Sequence, residues 1–173
     1  GSIQNPVATD TSIFGLVSNG VFVGSSTGGA FSDLFISAPL ASPVPTASSL
    51  RGTYTISHID FNSSDPRTTR SFLYQLNADG AGNLGNVSIS GSIAGNGTTG
   101  TAQTATNVKY FFSNGAANIN FGGTLTNSNL IAGTKYLYMS ADGNLVFGGS
   151  PTGWDFFVGV KSDASGKAFG GLY

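Results

Sequence analysis

Pairs of a small polar residue and a glycine punctuate this chain and constrain its fold more than any other feature. Four of them lie between runs rich in Val, Ile, Leu, Phe and Tyr: Asn19-Gly20, Asp79-Gly80, Asn114-Gly115 and Asp142-Gly143. Asn or Asp followed by Gly tolerates the positive φ angles of a type I′ turn, whose twist matches the flanking strands. Each pair therefore predicts a tight β-hairpin, and together they predict a meandering antiparallel fold.

The composition favours strands and turns over helices. Among 173 residues there are 26 Gly and no Glu, and only four Lys and three Arg, so strong helix formers are scarce. Charged residues make up 9% and the net charge is −1, which provides no basic field for a nucleic acid. The absence of cysteine excludes disulfides and thiolate metal sites, and we expect no metal or other cofactor.

The hairpins predict an all-β domain over residues 1–173. The sequence indicates about ten to twelve strands, the last at residues 168–172, which is more than an open sheet usually carries. We therefore expect an antiparallel meander that closes as an up-and-down β-barrel of about ten strands, with a β-sandwich as the alternative. Residues 38–49, rich in proline, break this pattern. No apolar run reaches the roughly 20 residues of a membrane-spanning helix, so no membrane span is expected.

The clearest strand covers residues 52–61 and contains the chain's single histidine. Regular alternation would place His58 and Asp60 on the same face as Tyr54 and Ile56. Because the apolar side changes from Ile56 to Ile59, the pattern favours a bulge near His58. His58 and Asp60 are a candidate polar pair that could act as an acid and a base, and a hydrogen-bonded strand histidine is the alternative explanation.

The single tryptophan follows a Pro-Thr-Gly segment. Trp154 at a barrel mouth could stack on a sugar ring, with Asp155 as its polar partner, and Tyr136 and Tyr138 are further ligand-binding candidates. The competing interpretation, which the alternation favours, puts Trp154 in the buried face of one strand. That face would also contain Phe156, Val158 and Val160.

Paired carboxylates would be needed for a glycosidase, and Asp60, Asp65, Asp142 and Asp155 are the candidates. Turn chemistry explains Asp79 and Asp142, and the following proline explains Asp65. Residues 77–83 offer oxygen ligands at alternate positions but lack the closing glutamate of an EF-hand, so a hairpin explains them without calcium.

Three lysines, Lys109, Lys135 and Lys161, each lie in an apolar strand. Such lysines suggest an internal Lys–Asn crosslink of the kind found in bacterial surface proteins. That chemistry requires a buried, neutral lysine beside an asparagine and an acid.

Four segments carry a resemblance: residues 19–26 (NGVFVGSS), 50–56 (LRGTYTI), 133–138 (GTKYLY) and 142–155 (DGNLVFGGSPTGWD). Together they resemble a repeated N-terminal β-rich region of large, uncharacterised secreted proteins of soil bacteria. The resemblance implies export and a modular parent protein with immunoglobulin-like domains further on. Gly1-Ser2 is typical of a cloning scar, so we expect a domain excised from a larger protein.

These observations leave three hypotheses for function. The first is a non-enzymatic, secreted extracellular module, structural or adhesive, that contacts polysaccharide, matrix or neighbouring domains. The second is a β-barrel carrier of a small apolar ligand, which would need small inward side chains and a cavity. The third is a glycan-acting hydrolase that uses Asp60 and His58.

Overall fold

A computed structural model describes residues 2–4, 12–18, 20–26, 34–39, 41–61, 65–97 and 100–162. Its strands are β1 (Ser2–Gln4), β2 (Ser12–Ser18), β3 (Val21–Ser26), β4 (Phe35–Ser37), β5 (Arg51–Asp60), β6 (Arg70–Asp79), β7 (Asn83–Ile93), β8 (Thr101–Ser113), β9 (Ala116–Asn120), β10 (Thr134–Met139), β11 (Leu145–Gly149) and β12 (Asp155–Lys161). Three single-turn 3₁₀ helices lie between them at Ala47–Ser49, Pro66–Thr68 and Ala94–Asn96. In the described part of the chain, no helix has the length and apolar character needed to cross a bilayer.

Strands β5 to β12 form a closed barrel in which each strand pairs with its neighbours in sequence, and β12 returns to pair with β5. Every pairing is antiparallel, so the predicted all-β, up-and-down barrel is confirmed. The barrel has eight strands because β1 to β4 form a separate 4-stranded sheet. The strand predicted at residues 168–172 lies outside the described residues.

The four polar-glycine pairs all connect antiparallel neighbours. Asn114 and Gly115, at φ 52° and 80°, form a two-residue turn between the paired residues Ser113 and Ala116. Gly20 has φ 79° between the paired residues Ser18 and Val21, while Asn19 lies outside the described residues. The other two loops are longer, and in each the aspartate accepts hydrogen bonds from backbone N–H groups of its turn.

Strand β6 shows how alternation fills the barrel, since its residues are buried and exposed in strict turn. The interior contains large side chains, among them Tyr54, Phe72, Tyr74 and Phe157, all at most 4% exposed. These rings and the aliphatic side chains around them form one continuous hydrophobic cluster. Large inward side chains therefore occupy the barrel axis.

Each end of the barrel is covered by a loop. At one end the Tyr110 hydroxyl lies 3.0 Å from the Ala47 carbonyl oxygen and 2.9 Å from that of Leu50. At the other end, the loop of residues 121–133 inserts Leu130 and Ile131, which are at most 1% exposed. The Gln103 side chain fixes this loop because it accepts from both of their N–H groups and donates to the Ile131 carbonyl.

The predicted bulge near His58 is wrong. β5 pairs without interruption with β6 on one side and β12 on the other. Tyr54, Ile56, His58 and Asp60 all face the interior, whereas Ile59 is 37% exposed on the outer surface. Pairing with both neighbours fixes the register, and the apolar Ile59 is left outside.

Candidate functional site

A cluster of charged side chains lies inside the barrel, at the end covered by residues 121–133. The strand register brings it together, because Asp155 pairs with Asp60 and Phe157 pairs with His58 across β12 and β5. Lys135 approaches from the inner face of β10. We call His58, Asp60, Lys135 and Asp155 the interior charged cluster.

Asp155 is the centre of this cluster. Its Oδ2 lies 3.0 Å from His58 Nε2 and 2.6 Å from Lys135 Nζ, and its Oδ1 accepts the Ser150 backbone N–H at 2.6 Å. The side chains of His58, Lys135 and Asp155 are 0%, 4% and 1% exposed. Burial alone would raise the pKa of Asp155, but hydrogen bonds from His58 and Lys135 and the lysine charge hold it well below its usual range. Asp155 is therefore a carboxylate held by several donors.

His58 is packed between aromatic rings and held at both nitrogens. Its ring stacks on Phe72 with centroids 4.3 Å apart, and Nδ1 lies 3.3 Å from the Tyr74 hydroxyl. Burial lowers the pKa of His58 and outweighs the opposing effect of Asp155. A neutral ring with Nε2–H donating to Asp155 leaves Nδ1 to accept from Tyr74.

Asp60 is the second carboxyl group of the cluster and is 4% exposed. Burial, followed by the negative charge of Asp155, raises its pKa, while Lys135, Arg70 and His58 act in the opposite direction. Two carboxyl groups on paired residues therefore differ in character, since Asp155 stays ionised and Asp60 holds a proton more readily.

Arg70 closes the cluster from the side of the covering loop. It is fully buried and donates to the backbone carbonyls of Thr68, Thr126 and Asn129 at 2.9, 2.7 and 2.9 Å. Two of these carbonyls belong to the loop of residues 121–133, so the guanidinium fastens that loop over the barrel end. Among the described residues, every buried side-chain nitrogen and oxygen has a hydrogen-bond partner.

The interior charged cluster contains the parts of an acid–base site, namely a neutral imidazole, an ionised carboxylate and a carboxyl of raised pKa. The imidazole and the carboxylate already bind each other, and the cluster lies beneath the loop that Arg70 fastens. In the described part of the chain, no group of three His, Cys, Asp or Glu residues could hold a metal ion. The arrangement suits an internal clamp between strands, or chemistry among its own side chains.

The structure separates the predicted site residues into two groups. His58 and Asp60 share the inner face as regular alternation requires, and the carboxylate bound to His58 is that of Asp155. Asp155 points inward, so it is not the polar partner of a ligand at Trp154. The tyrosine beside His58 is Tyr74 and not Tyr54, which shares the strand face of His58. The Tyr54 hydroxyl lies at the other end of the barrel and donates to the Gly143 carbonyl.

Trp154, Tyr136 and Tyr138 lie on the outside. Trp154 is 77% exposed and Tyr138 is 42% exposed, and the Tyr138 ring stacks on Phe147 with centroids 6.1 Å apart. The prediction that Trp154, Phe156, Val158 and Val160 form a buried strand face is therefore wrong. The inward residues of β12 are Asp155, Phe157 and Gly159, because Asp155 pairs with the inward-facing Asp60.

Sequence reasoning did not identify Arg70, Tyr74 or Lys135 as members of one site. A signal was present, since Arg70 and Tyr74 alternate with Phe72 and Leu76 on one face of β6. Lys135 likewise shares a face with Leu137 and Met139. A charge on an otherwise apolar strand face indicates a buried partner, but only the closed barrel shows that the partner is Asp155.

The remaining aspartates stabilise local turns. Asp79 accepts from the Ala81 and Asn83 backbone N–H groups and from the Asn83 side chain, which together lower its pKa to about 2. Asp142 is bound in the same way by Asn144 and by the Ser140 hydroxyl. Asp65 accepts the Arg67 N–H at the start of a 3₁₀ helix. These contacts agree with the turn interpretation of the sequence.

No protein-family model matches the sequence, and no curated protein matches it. The geometry of the chain itself is therefore the basis for a functional proposal.

Proposed function

We propose that this chain is a non-enzymatic extracellular module that binds polysaccharide on the outside of its barrel. The observation that carries the proposal is that the charged cluster is buried whereas another set of aromatic side chains is exposed to solvent. The groups suited to catalysis are at most 4% exposed, whereas Trp154 and Phe61 are 77% and 49% exposed. A substrate would reach the aromatic residues and not the carboxyl groups.

Several partly or largely exposed rings lie on the outside of β10, β11 and β12 and next to the ends of β5 and β12, and we call this set the outer aromatic face. Its members are Phe61, Tyr136, Tyr138, Phe147, Trp154 and Phe156. Two cross-strand pairs lie within this set, since Tyr138 pairs with Phe147 and the Phe61 N–H donates to the Trp154 carbonyl at 3.0 Å. Aromatic rings with one apolar face in solvent are suited to stacking on the apolar faces of sugars.

Neighbouring surface supports this choice of ligand. On β11, Gly149 pairs with Tyr136 of β10. Because glycine has no side chain, this position leaves a gap between the outer side chains of β10 and those of β12. The outer residues of β7 include Ser88, Ser90 and Ser92, which give the far wall a polar surface. The outer aromatic face is thus confined to one side of the barrel, as expected of a binding surface.

The two other hypotheses require features that conflict with this arrangement. A carrier of a small apolar ligand needs internal space, but Tyr54, Phe72 and Phe157 fill the interior. A glycan hydrolase needs Asp60 and Asp155 beside its substrate, but both lie beneath the loop held by Arg70.

Affinity electrophoresis of the folded protein in gels containing β-glucan, xylan, chitosan or dextran tests the proposal. We expect retardation by at least one polysaccharide, and Trp154→Ala should weaken that binding at least about tenfold because an exposed ring carries the contact. The matched control is Phe111→Ala, which removes a 63% exposed ring from β8 on another part of the barrel. Absence of retardation by all four polymers, or equal losses in the two variants, would contradict the proposal.

A further inference from the structure

Lys135 and Asp155 form a buried pair in which an amine nitrogen and a carboxyl group are in direct contact. Lys135 Nζ lies 2.6 Å from Asp155 Oδ2, and the two side chains are 4% and 1% exposed. Among the lysines of the described residues, Lys135 alone is buried, whereas Lys109 and Lys161 are exposed. The backbone register of β10, β11 and β12 holds the pair in this position.

We propose that Lys135 and Asp155 condense spontaneously to form an amide bond inside the barrel. The partner differs from the asparagine expected from sequence, because the side-chain contacts of Lys135 are with Asp155 and the Ser150 hydroxyl. The crosslink would join β10 to β12 across β11. It is independent of polysaccharide binding on the outer aromatic face.

The reaction balances without any further reactant. A proton first passes from Lys135 Nζ to Asp155 Oδ2 along the hydrogen bond that joins them, which gives a neutral amine and a neutral carboxyl group. Nζ then adds to Asp155 Cγ, a C–N bond forms, the Cγ–Oδ2 bond breaks, and Oδ2 leaves as water. The ammonium and the carboxylate together hold the required protons: one stays on the amide nitrogen and two leave with the oxygen. Fixing both groups in contact replaces a bimolecular encounter, and effective molarities of about 10⁵–10⁸ M are known for well-oriented pairs.

Groups next to Lys135 and Asp155 are placed to assist both steps of the reaction, the addition of nitrogen and the loss of oxygen. The Ser150 N–H, 2.6 Å from Oδ1, can stabilise the negative charge that develops there when nitrogen adds. Lys135 donates directly to Oδ2, the leaving oxygen, and so supplies its first proton. His58 Nε2, 3.0 Å from the same oxygen, can relay the second proton.

Burial also favours the product over the ion pair. Two charges removed from water carry a desolvation penalty that their attraction does not always offset. Condensation converts both into a neutral amide and releases water from the interior. In a chain without cysteine, such a bond would close a covalent loop between residues 135 and 155 and stabilise the fold by restricting the unfolded state.

Intact mass spectrometry of the denatured wild-type protein tests the proposal. We expect a mass one water, about 18 Da, below that of the sequence, and a proteolytic map in which the peptides containing Lys135 and Asp155 are joined. A mass equal to that of the sequence, with both peptides separate and unmodified, would overturn it. This readout does not depend on whether any variant folds.

Two sets of controls locate the water loss. Asp79-Gly80 and Asp142-Gly143 could lose water by forming a succinimide, but a succinimide hydrolyses in mild base whereas the amide crosslink survives. Lys135→Met should have the full mass of its own sequence, and Lys109→Met should still lose one water. Persistence of the loss in Lys135→Met would assign it elsewhere and overturn the proposal.

Discussion

At the residue scale, the unusual feature of this protein is a histidine, a lysine and two aspartates enclosed among aromatic rings. Asp155 accepts hydrogen bonds from His58, Lys135 and Ser150 and so holds the cluster together. Leaving one buried charge unpaired typically costs about 3–5 kcal/mol, so the cluster stabilises the fold only while it is complete. Its pH dependence follows from the same contacts.

His58 should make stability depend on pH near neutrality. Burial lowers its pKa in the folded protein, so below the unfolded value of about 6.5 the unfolded chain binds a proton that the folded chain does not. The free energy of unfolding should therefore be highest above about pH 7 and fall as the pH drops through about 6.5. Burial is the main cause, so this holds whether Asp155 is a carboxylate or an amide.

Urea denaturation between about pH 8 and 5.5 measures this dependence, with His58→Gln as the comparison. The groups facing His58 are Asp155, Lys135, Asp60 and Tyr74. The variant retains all four, so the difference between the two pH profiles isolates the imidazole. Parallel profiles would contradict the assignment of a lowered pKa to His58.

At the scale of the element, turn chemistry predicts the fold well. Asn114-Gly115 forms a two-residue hairpin because both residues accept positive φ. Strand faces are harder to predict. On β5 and β12 the inner faces carry His58, Asp60 and Asp155, whereas Ile59 and Phe156 lie on the outer faces. Apolar periodicity therefore indicates the wrong face at the ends of β5 and β12, where polar groups are buried with partners that lie far away along the chain.

Gly148 lies on the inner face of β11, and a substitution there tests how closely β10, β11 and β12 pack. A Cβ at Gly148 would overlap the Tyr136 carbonyl oxygen and approach the Phe157 ring at 2.8 Å. Gly148→Ala should lower the free energy of unfolding by about 1–3 kcal/mol through overpacking. Gly100→Ala is the matched control, because its nearest neighbour is the Gly91 carbonyl oxygen at 3.8 Å.

Chemical denaturation of both variants provides the comparison. The Gly100 variant should stay within about 0.5 kcal/mol of the wild type, as substitutions in open surroundings do. Equal stability of the Gly148 and Gly100 variants would mean that Tyr136 of β10 and Phe157 of β12 leave room for a Cβ at Gly148.

At the scale of the whole molecule, the meander closes into a barrel whose two ends are both covered. Tyr110 holds the segment at Ala47 and Leu50 over one end, and Arg70 and Gln103 hold the loop of residues 121–133 over the other. The consequence is a filled barrel that encloses its charged cluster and carries the outer aromatic face on one side. The sequence could predict closure from its hairpins, but not the covering loop, whose anchors lie far apart along the chain.

Lysine acylation of the native protein, read by peptide mapping over time, tests the enclosed interior most directly. Lys109 is exposed on β8 and serves as the internal reference, whereas Lys135 lies inside the barrel at 3% exposure. We predict that in the folded protein Lys109 is modified rapidly while Lys135 remains unmodified, both as a buried amine and as an amide. Modification of Lys135 at a rate comparable to that of Lys109 would contradict the enclosed barrel on which the functional proposals depend.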